Sequence, residues 1–223
     1  MILNPLQTEP LFHLGPVAIS EPVVVTWVIM ALLVGGSALL TRQLRDEPGL
    51  TQTALELLVG GIRDQIAEVM PGAAERFLPL LGTLFIYLVV ANLSSVVPGV
   101  HAPTAHVETA AALEIVVYFA GHYYGIRSQG ALAYLRSYTR PNIFMLPLNV
   151  VSEITRSFSL TVRLFGNIMS HELVIGIVLT LAGLLVPIPL MALGALIGVV
   201  QAYIFAVLAA VFVGGSVGAI EKG

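Results

Sequence analysis

Between residues 149 and 171, the side chains Asn149, Ser152, Glu153, Arg156, Ser159, Arg163, Asn167, Ser170 and His171 follow one another at steps of one, three or four. That spacing places them on one face of a helix. The intervening Val150, Val151, Ile154, Phe158, Val162, Leu164, Phe165, Ile168 and Met169 are apolar, so the rest of the cylinder suits lipid or protein. An arginine at the centre of an apolar helix costs at least about 2.5 to 3.5 kcal/mol to insert, and it normally faces a partner, an ion path or a water-filled cavity. Arg163 keeps its proton under all ordinary conditions, so its chemistry is that of a fixed charge and not of a link in a proton relay.

The plainest alternative is an internal pair between Arg163 and Glu172 or Glu153 that holds a bundle together. Glu172 lies nine residues along the stripe, roughly 13 Å by helical rise. The natural mate of Arg163 is therefore missing from this stretch, which points to a carboxylate on another subunit. Glu108 and Glu114, with His101 and His106 nearby, lie at or in one half of another apolar run, where a carboxylate is costly without water or a partner. Arg156 reads as a headgroup-level anchor whose stem snorkels. Gln201 reads as a hydrogen-bonding amide near Arg163, or as helix-to-helix glue. Gly194, Gly198 and Ala202 recur every four residues and read as a close-packing stripe. Asn92 reads as a capping or loop residue.

The elements that must position these groups follow from composition. The chain has 223 residues, 57% hydrophobic and 10% charged, against about 25% charged in soluble domains. Absence of cysteine excludes a disulfide framework, thiolate metal sites and cysteine nucleophiles. Residues 1–21 lack the pattern of a secretory signal, so the start reads as mature. Apolar runs predict spans over 23-41, 77-97 and 107-126, a long region over 143-186, and a last segment over 190-218. Between the first two, Leu55, Leu58, Val59, Ile62, Ile66, Val69 and Met70 recur at helical spacing opposite Glu56, Arg63, Asp64 and Glu68. This predicts an interfacial amphipathic helix over 51-70, with Thr53 and Glu56 as its capping box. The 143-186 region would run roughly 65 Å as one helix, against a hydrocarbon core of about 30 Å, so it must tilt steeply, bend or break. Pro187-Ile-Pro189 is expected to turn the chain. The expected fold is a single integral all-α membrane domain of about five membrane helices plus the interfacial one. The last two membrane helices form a long, steeply inclined hairpin.

Under that reading Arg42, Arg45, Arg63, Arg76, Arg127, Arg136, Arg140 and Lys222 fall on one side, which the positive-inside rule makes cytoplasmic. The N-terminus is then periplasmic and the C-terminus cytoplasmic. No internal repeat supports an inverted-repeat transporter.

The run Ser159-Leu-Thr-Val-Arg163-Leu-Phe-Gly-Asn167-Ile-Met-Ser-His171-Glu172-Leu resembles the SLxxRLFGN signature of ATP synthase subunit a. Gly198-Val-Val-Gln201-Ala-Tyr-Ile-Phe205 resembles the second signature of that family, in its last helix. Weaker echoes are Thr26-Trp27, Asn92-Leu with Pro98-Gly99, and Pro103-Thr-Ala, so the resemblance covers nearly the whole length. It implies the stator subunit of a rotary ATP synthase in a bacterial inner membrane. Its partners would be the c-subunit ring, the peripheral stalk b subunits, other ATP synthase subunits and the lipid bilayer, with no nucleic acid, metal or cofactor. Arg163 would stabilise ionised ring carboxylates and block direct ion leakage between two offset half-channels. His171 and Glu172 match positions lining the periplasmic inlet, to which Glu108 and Glu114 are assigned by their position. Asn149, Ser152 and Glu153 fall on the cytoplasmic, outlet side, and Asn167 belongs with the arginine. The coupling ion is taken as the proton, with sodium as the variant.

This chain departs from that family at several points. Many members carry an acidic residue in place of Asn149 and a tyrosine in place of Phe212, and lack carboxylates at Glu108 and Glu114. Some carry glycine at His171 and histidine at Gly194, a swap that keeps one imidazole in the same space. The competing readings are a self-contained antiporter using Glu172, Glu153 and Arg163, and a structural assembly subunit. A membrane enzyme lacks any H-E-x-x-H, G-x-S-x-G or phosphate-loop motif.

Overall fold

The computed structural model describes residues 10–14, 17–42, 49–97, 100–139, 144–183 and 186–218. Arg45, Arg140, Lys222, Pro98 and Gly99, and the parts of the fourth predicted region at Ile143 and at Leu184-Leu185, lie outside the described residues. An antiparallel pair of strands, β1 (Pro10–Leu14) and β2 (Val17–Ser20), opens the fold. It was not expected, and it is the one departure from an otherwise helical architecture among the described residues.

Seven helices follow: α1 (Glu21–Thr41), α2 (Leu50–Val69), α3 (Ala74–Leu93), α4 (Val107–Gln129), α5 (Ala131–Ser137), α6 (Met145–Ala182) and α7 (Pro187–Val217). Four of them, α1, α3, α6 and α7, are long and apolar enough to cross a membrane. The third predicted span appears as α4, 23 residues long. It is not one of those four.

Two local expectations are corrected. The capping box at Thr53 and Glu56 does not form: α2 starts earlier, with Gly49 at its N-cap. Thr53 therefore sits inside the first turn, where its hydroxyl donates to the Gly49 carbonyl at 3.2 Å, and Glu56 accepts from Gln52 instead. Pro187 and Pro189 do not turn the chain but begin α7, since the first helical turn needs no backbone N–H from them. The stop lies at Gly183, whose φ of 76° ends α6 in a conformation only glycine takes freely.

The core is built by α3, α4 and α7. Phe77, Leu81 and Leu88 of α3, Val117 of α4, and Phe205 and Val213 of α7 are fully buried, with Leu164 reaching in from α6. Helix α2 lies along α3 and α7, and Ile62, Ile66, Leu81, Phe85, Ala206 and Ala210 line the seam between them. Helix α1 is the least embedded. It contributes Ile29 to the core and accepts one hydrogen bond, from Tyr87 Oη to Thr26 Oγ1 at 3.3 Å, while Trp27, Leu32 and Val34 face outward.

Helix α6 runs unbroken for 38 residues, about 57 Å at helical rise. Of the three solutions open to so long an apolar region, breaking is not the one taken. It pairs antiparallel with α7, because Asn167 meets Gln201 and His171 meets Gly194. The small-residue stripe divides its work between two neighbours. Gly194 faces α6, whereas Gly198 faces α3, where an added Cβ would stand 2.9 Å from Asn92 Cβ. Asn92 is accordingly no cap. It is buried, donates from Nδ2 to the Gly198 carbonyl at 2.8 Å and accepts from Thr104 Oγ1 at 2.6 Å, locking α3, α7 and the 3-10 turn Pro103–Ala105 together.

Candidate functional site

The polar stripe forms as the periodicity requires, along one helix, α6. Arg163 is exposed and makes no ion pair or hydrogen bond among the described residues. It borders an open cavity of about 350 Å³ lined also by Ser152, Thr155, Arg156, Ser159, Leu160 and Leu208. The cavity thus holds two guanidinium groups. That of Arg156 stands 4.7 Å over the Phe212 ring, which fixes it by cation-π attraction.

Both carboxylates that might have neutralised Arg163 are engaged elsewhere. Glu172 Oε1 accepts the backbone N–H of Ala102 at 2.7 Å, and its Oε2 lies 3.4 Å from His101 Nδ1. Glu153 is buried, accepts the Tyr138 hydroxyl at 3.0 Å on Oε2, and lies 3.5 Å from His122 Nε2 through Oε1. Next along α6 from Arg163, Asn167 Nδ2 donates to Gln201 Oε1 at 2.7 Å. Gln201 is buried, and its hydrogen bond runs to Asn167, with none to Arg163.

The remaining candidates separate into two places. His101 joins Glu172, and the His171 ring fills the space that a side chain on Gly194 would need, with Nε2 buried and without a hydrogen-bond partner. Glu108 is exposed in the first turn of α4, where the helix dipole favours a negative charge. His106 precedes it at the N-cap, with Nδ1 buried and unbonded. Glu114 does not join Glu172. It is buried on α4 beside Ser157 and Arg156 of α6, some 22 Å of helical rise from residue 172. Asn149 Nδ2 donates to the Tyr138 carbonyl at 2.9 Å, next to Glu153, while Ser152 faces the open cavity.

A family profile described as ATP synthase A chain matches residues 23–214. The chain belongs to the ATP synthase A chain family. With four helices long and apolar enough to span a bilayer, it is an integral membrane protein. Among its relatives, the protein called ATP synthase subunit a 2 from Bradyrhizobium sp. (strain BTAi1) is 58% identical over 220 residues, 99% of each chain. The protein of that name from Pelobacter propionicus is 47% identical over 96% of this chain and 94% of its own. ATP synthase subunit a 1 from Hahella chejuensis is 46% identical over 95% and 90%.

Three residues of the site escaped the sequence reading: His122, Tyr134 and Tyr138. Tyr138 Oη donates to Glu153, so the 2.9 Å bond between Tyr134 and Tyr138 has Tyr134 as donor. Burial, with the Tyr134 hydroxyl and the Glu153 charge adding to it, pushes the Tyr138 phenol well above the usual tyrosine range. It stays protonated, accepting from Tyr134 and donating to Glu153. A signal for His122 existed, since an ionisable ring inside a predicted span is a functional candidate in its own right.

Proposed function

We propose that this chain is the stator subunit a of a rotary ATP synthase. It passes protons to and from the carboxylates of a c-subunit ring through two offset half-channels, and so couples ion flow to rotation and to ATP synthesis or hydrolysis. The observation that carries this reading is Arg163: a fixed cation, exposed on an open cavity, while the two carboxylates of its own helix, Glu153 and Glu172, are both committed elsewhere. A cation with no internal mate among the described residues is available to a carboxylate arriving on another subunit, and it favours the charged form of that group. It also repels a proton trying to cross directly. Moving one charge through 100 mV releases about 2.3 kcal/mol, the source of torque.

In this proposal α4 completes a five-span bundle, and α6 and α7 form the inclined hairpin against the ring. The basic side, with Arg76, Arg127 and Arg136, is cytoplasmic, and the inner membrane is the site of action. Peripheral stalk b subunits and other ATP synthase subunits are the further partners. Glu172, His171 and Glu108 serve the periplasmic inlet, and Asn167 belongs with Arg163. Asn149, Ser152 and Glu153 serve the cytoplasmic outlet. Glu114, set against Ser157 and Arg156, lies nearer the outlet than the inlet to which its sequence position assigned it. The chain does no catalytic chemistry of its own. The test is Arg163→Ala in the assembled synthase. ATP-driven proton uptake into inverted vesicles is lost while the soluble head still hydrolyses ATP, and normal coupled pumping would reject the reading.

A further inference from the structure

The cluster around Glu153 has a hydrogen-bond arithmetic of its own. His122 Nδ1 lies 2.9 Å from the Tyr118 carbonyl, which can only accept, so Nδ1 carries a proton. In the neutral ring Nε2 is then a bare acceptor. It faces Glu153 Oε1 at 3.5 Å, and a carboxylate is also an acceptor. Two acceptors face each other only when one of them holds a proton. Glu153 also accepts from Tyr138, whose single hydroxyl proton is shared between the two oxygens, at 3.0 Å from one and 3.2 Å from the other. Because Tyr134 donates to Tyr138, the tyrosine pair aligns the carboxylate and takes nothing from it.

The setting encloses the pair of His122 and Glu153. Glu153 is 7% exposed. From α4, the Tyr118 ring lies 4.3 Å from the His122 ring; from α5 the Tyr134 ring lies 5.9 Å away; from α7 the uncharged Phe212 ring lies 6.4 Å away. The neighbouring charged groups are Arg156, held on the far partner Phe212, and Glu114, which sits beside Arg156. The stripe residues toward the Met145 end, Ser152 on the open cavity and Asn149 tied to the Tyr138 carbonyl, carry no ionisable group.

Resting on the outlet reading above, we propose that His122 and Glu153 form a two-site proton station on the outlet route, with Tyr138 as its positioning residue. In the transfer the O–H bond of protonated Glu153 breaks as an N–H bond forms at His122 Nε2. The carboxylate left behind stays bonded to the Tyr138 hydroxyl, and the imidazolium keeps its Nδ1 proton on the Tyr118 carbonyl. The reverse transfer restores the start, and no oxidant or further reactant is involved.

The test uses the assembled synthase in inverted vesicles, with ATP-driven proton uptake followed from pH 6 to 9 beside ATP hydrolysis. His122→Gln and Glu153→Gln each lower uptake about tenfold or more, equivalent to about 1.4 kcal/mol, and flatten its pH profile. The double variant loses no more than the worse single one, because both break one station. Infrared difference spectra of the same complexes show a protonated-carboxyl band that Glu153→Gln removes and His122→Gln enlarges, a readout that a packing role would not move. Uptake within twofold of the parent and an unchanged pH profile in His122→Gln overturn the station. If Arg163→Ala abolishes uptake in the same series, that failure leaves the stator reading standing. Normal uptake in Arg163→Ala sinks the stator reading itself.

Discussion

Two carboxylates sit on α6 to either side of Arg163, and the helix treats them in opposite ways. Glu172 is held by a backbone amide and by His101, whose side chain is 56% exposed. Glu153 is held by a hydroxyl and an imidazole in a buried pocket roofed by aromatic rings. A backbone N–H orients a carboxylate but never surrenders its proton, whereas an imidazole can both give and take one. Both carboxylates face an imidazole, but one pair is open and aimed by a backbone amide, and the other is closed and aimed by a hydroxyl. Such asymmetry fits the two half-channels proposed above, which must never be continuous.

The largest effect that would break this contrast falls on the frame behind Glu172. Asn92→Leu leaves the buried Thr104 hydroxyl without its partner and removes the second hydrogen bond to the Gly198 carbonyl, and an unsatisfied buried group costs about 1–3 kcal/mol. The thermal midpoint of the detergent-solubilised complex falls, and Glu172 loses the turn that aims it. An unchanged midpoint together with full coupling would show that the 101–105 segment does not depend on this lock. A smaller and sharper change is Ala102→Pro. Ala102 has φ of −63°, which proline adopts without strain, so the substitution deletes the N–H donor to Glu172 while adding no charge. Coupled uptake falls about tenfold, a barrier change of about 1.4 kcal/mol. Unaltered uptake would mean that the backbone amide does not orient this carboxylate.

The smallest effect concerns the closed end. Tyr138 keeps its proton in the folded chain beyond the usual tyrosine range, whereas in the unfolded chain it ionises near about pH 10. The folded state holds the extra proton, so its contribution is complete below about pH 10 and is lost as pH rises above that value. Tyr138→Phe flattens this alkaline loss in a chemical-denaturation series from pH 9 to 11.5. An alkaline slope identical to the parent's would place Tyr138 outside the pocket.

Apolar length alone made α1, α3, α6 and α7 legible, since a run long enough to cross a bilayer has few other solutions. The stripe from Asn149 to His171 was equally legible, because helical periodicity is a property of one continuous segment. What escaped was tertiary or too short to show a period. Helix α5 has only seven residues and is divided from α4 by Gly130 at φ 84°. His122 and Glu153 lie 31 residues apart on different helices, and nothing along either segment announces the other. Asn92 looked like a loop residue because its partners, Gly198 and Thr104, arrive from elsewhere in the chain.

The interlock of His171 with Gly194 leaves a mark on how this molecule can change. A methyl group placed on Gly194 would land inside the imidazole, so the two positions form one compartment with room for a single tenant. A lone substitution at 194 evicts the ring from between α6 and α7, and a lone loss of the ring leaves a hollow there. Drift at this spot must proceed by paired exchanges, and a designer who alters one site has already chosen what the other must become.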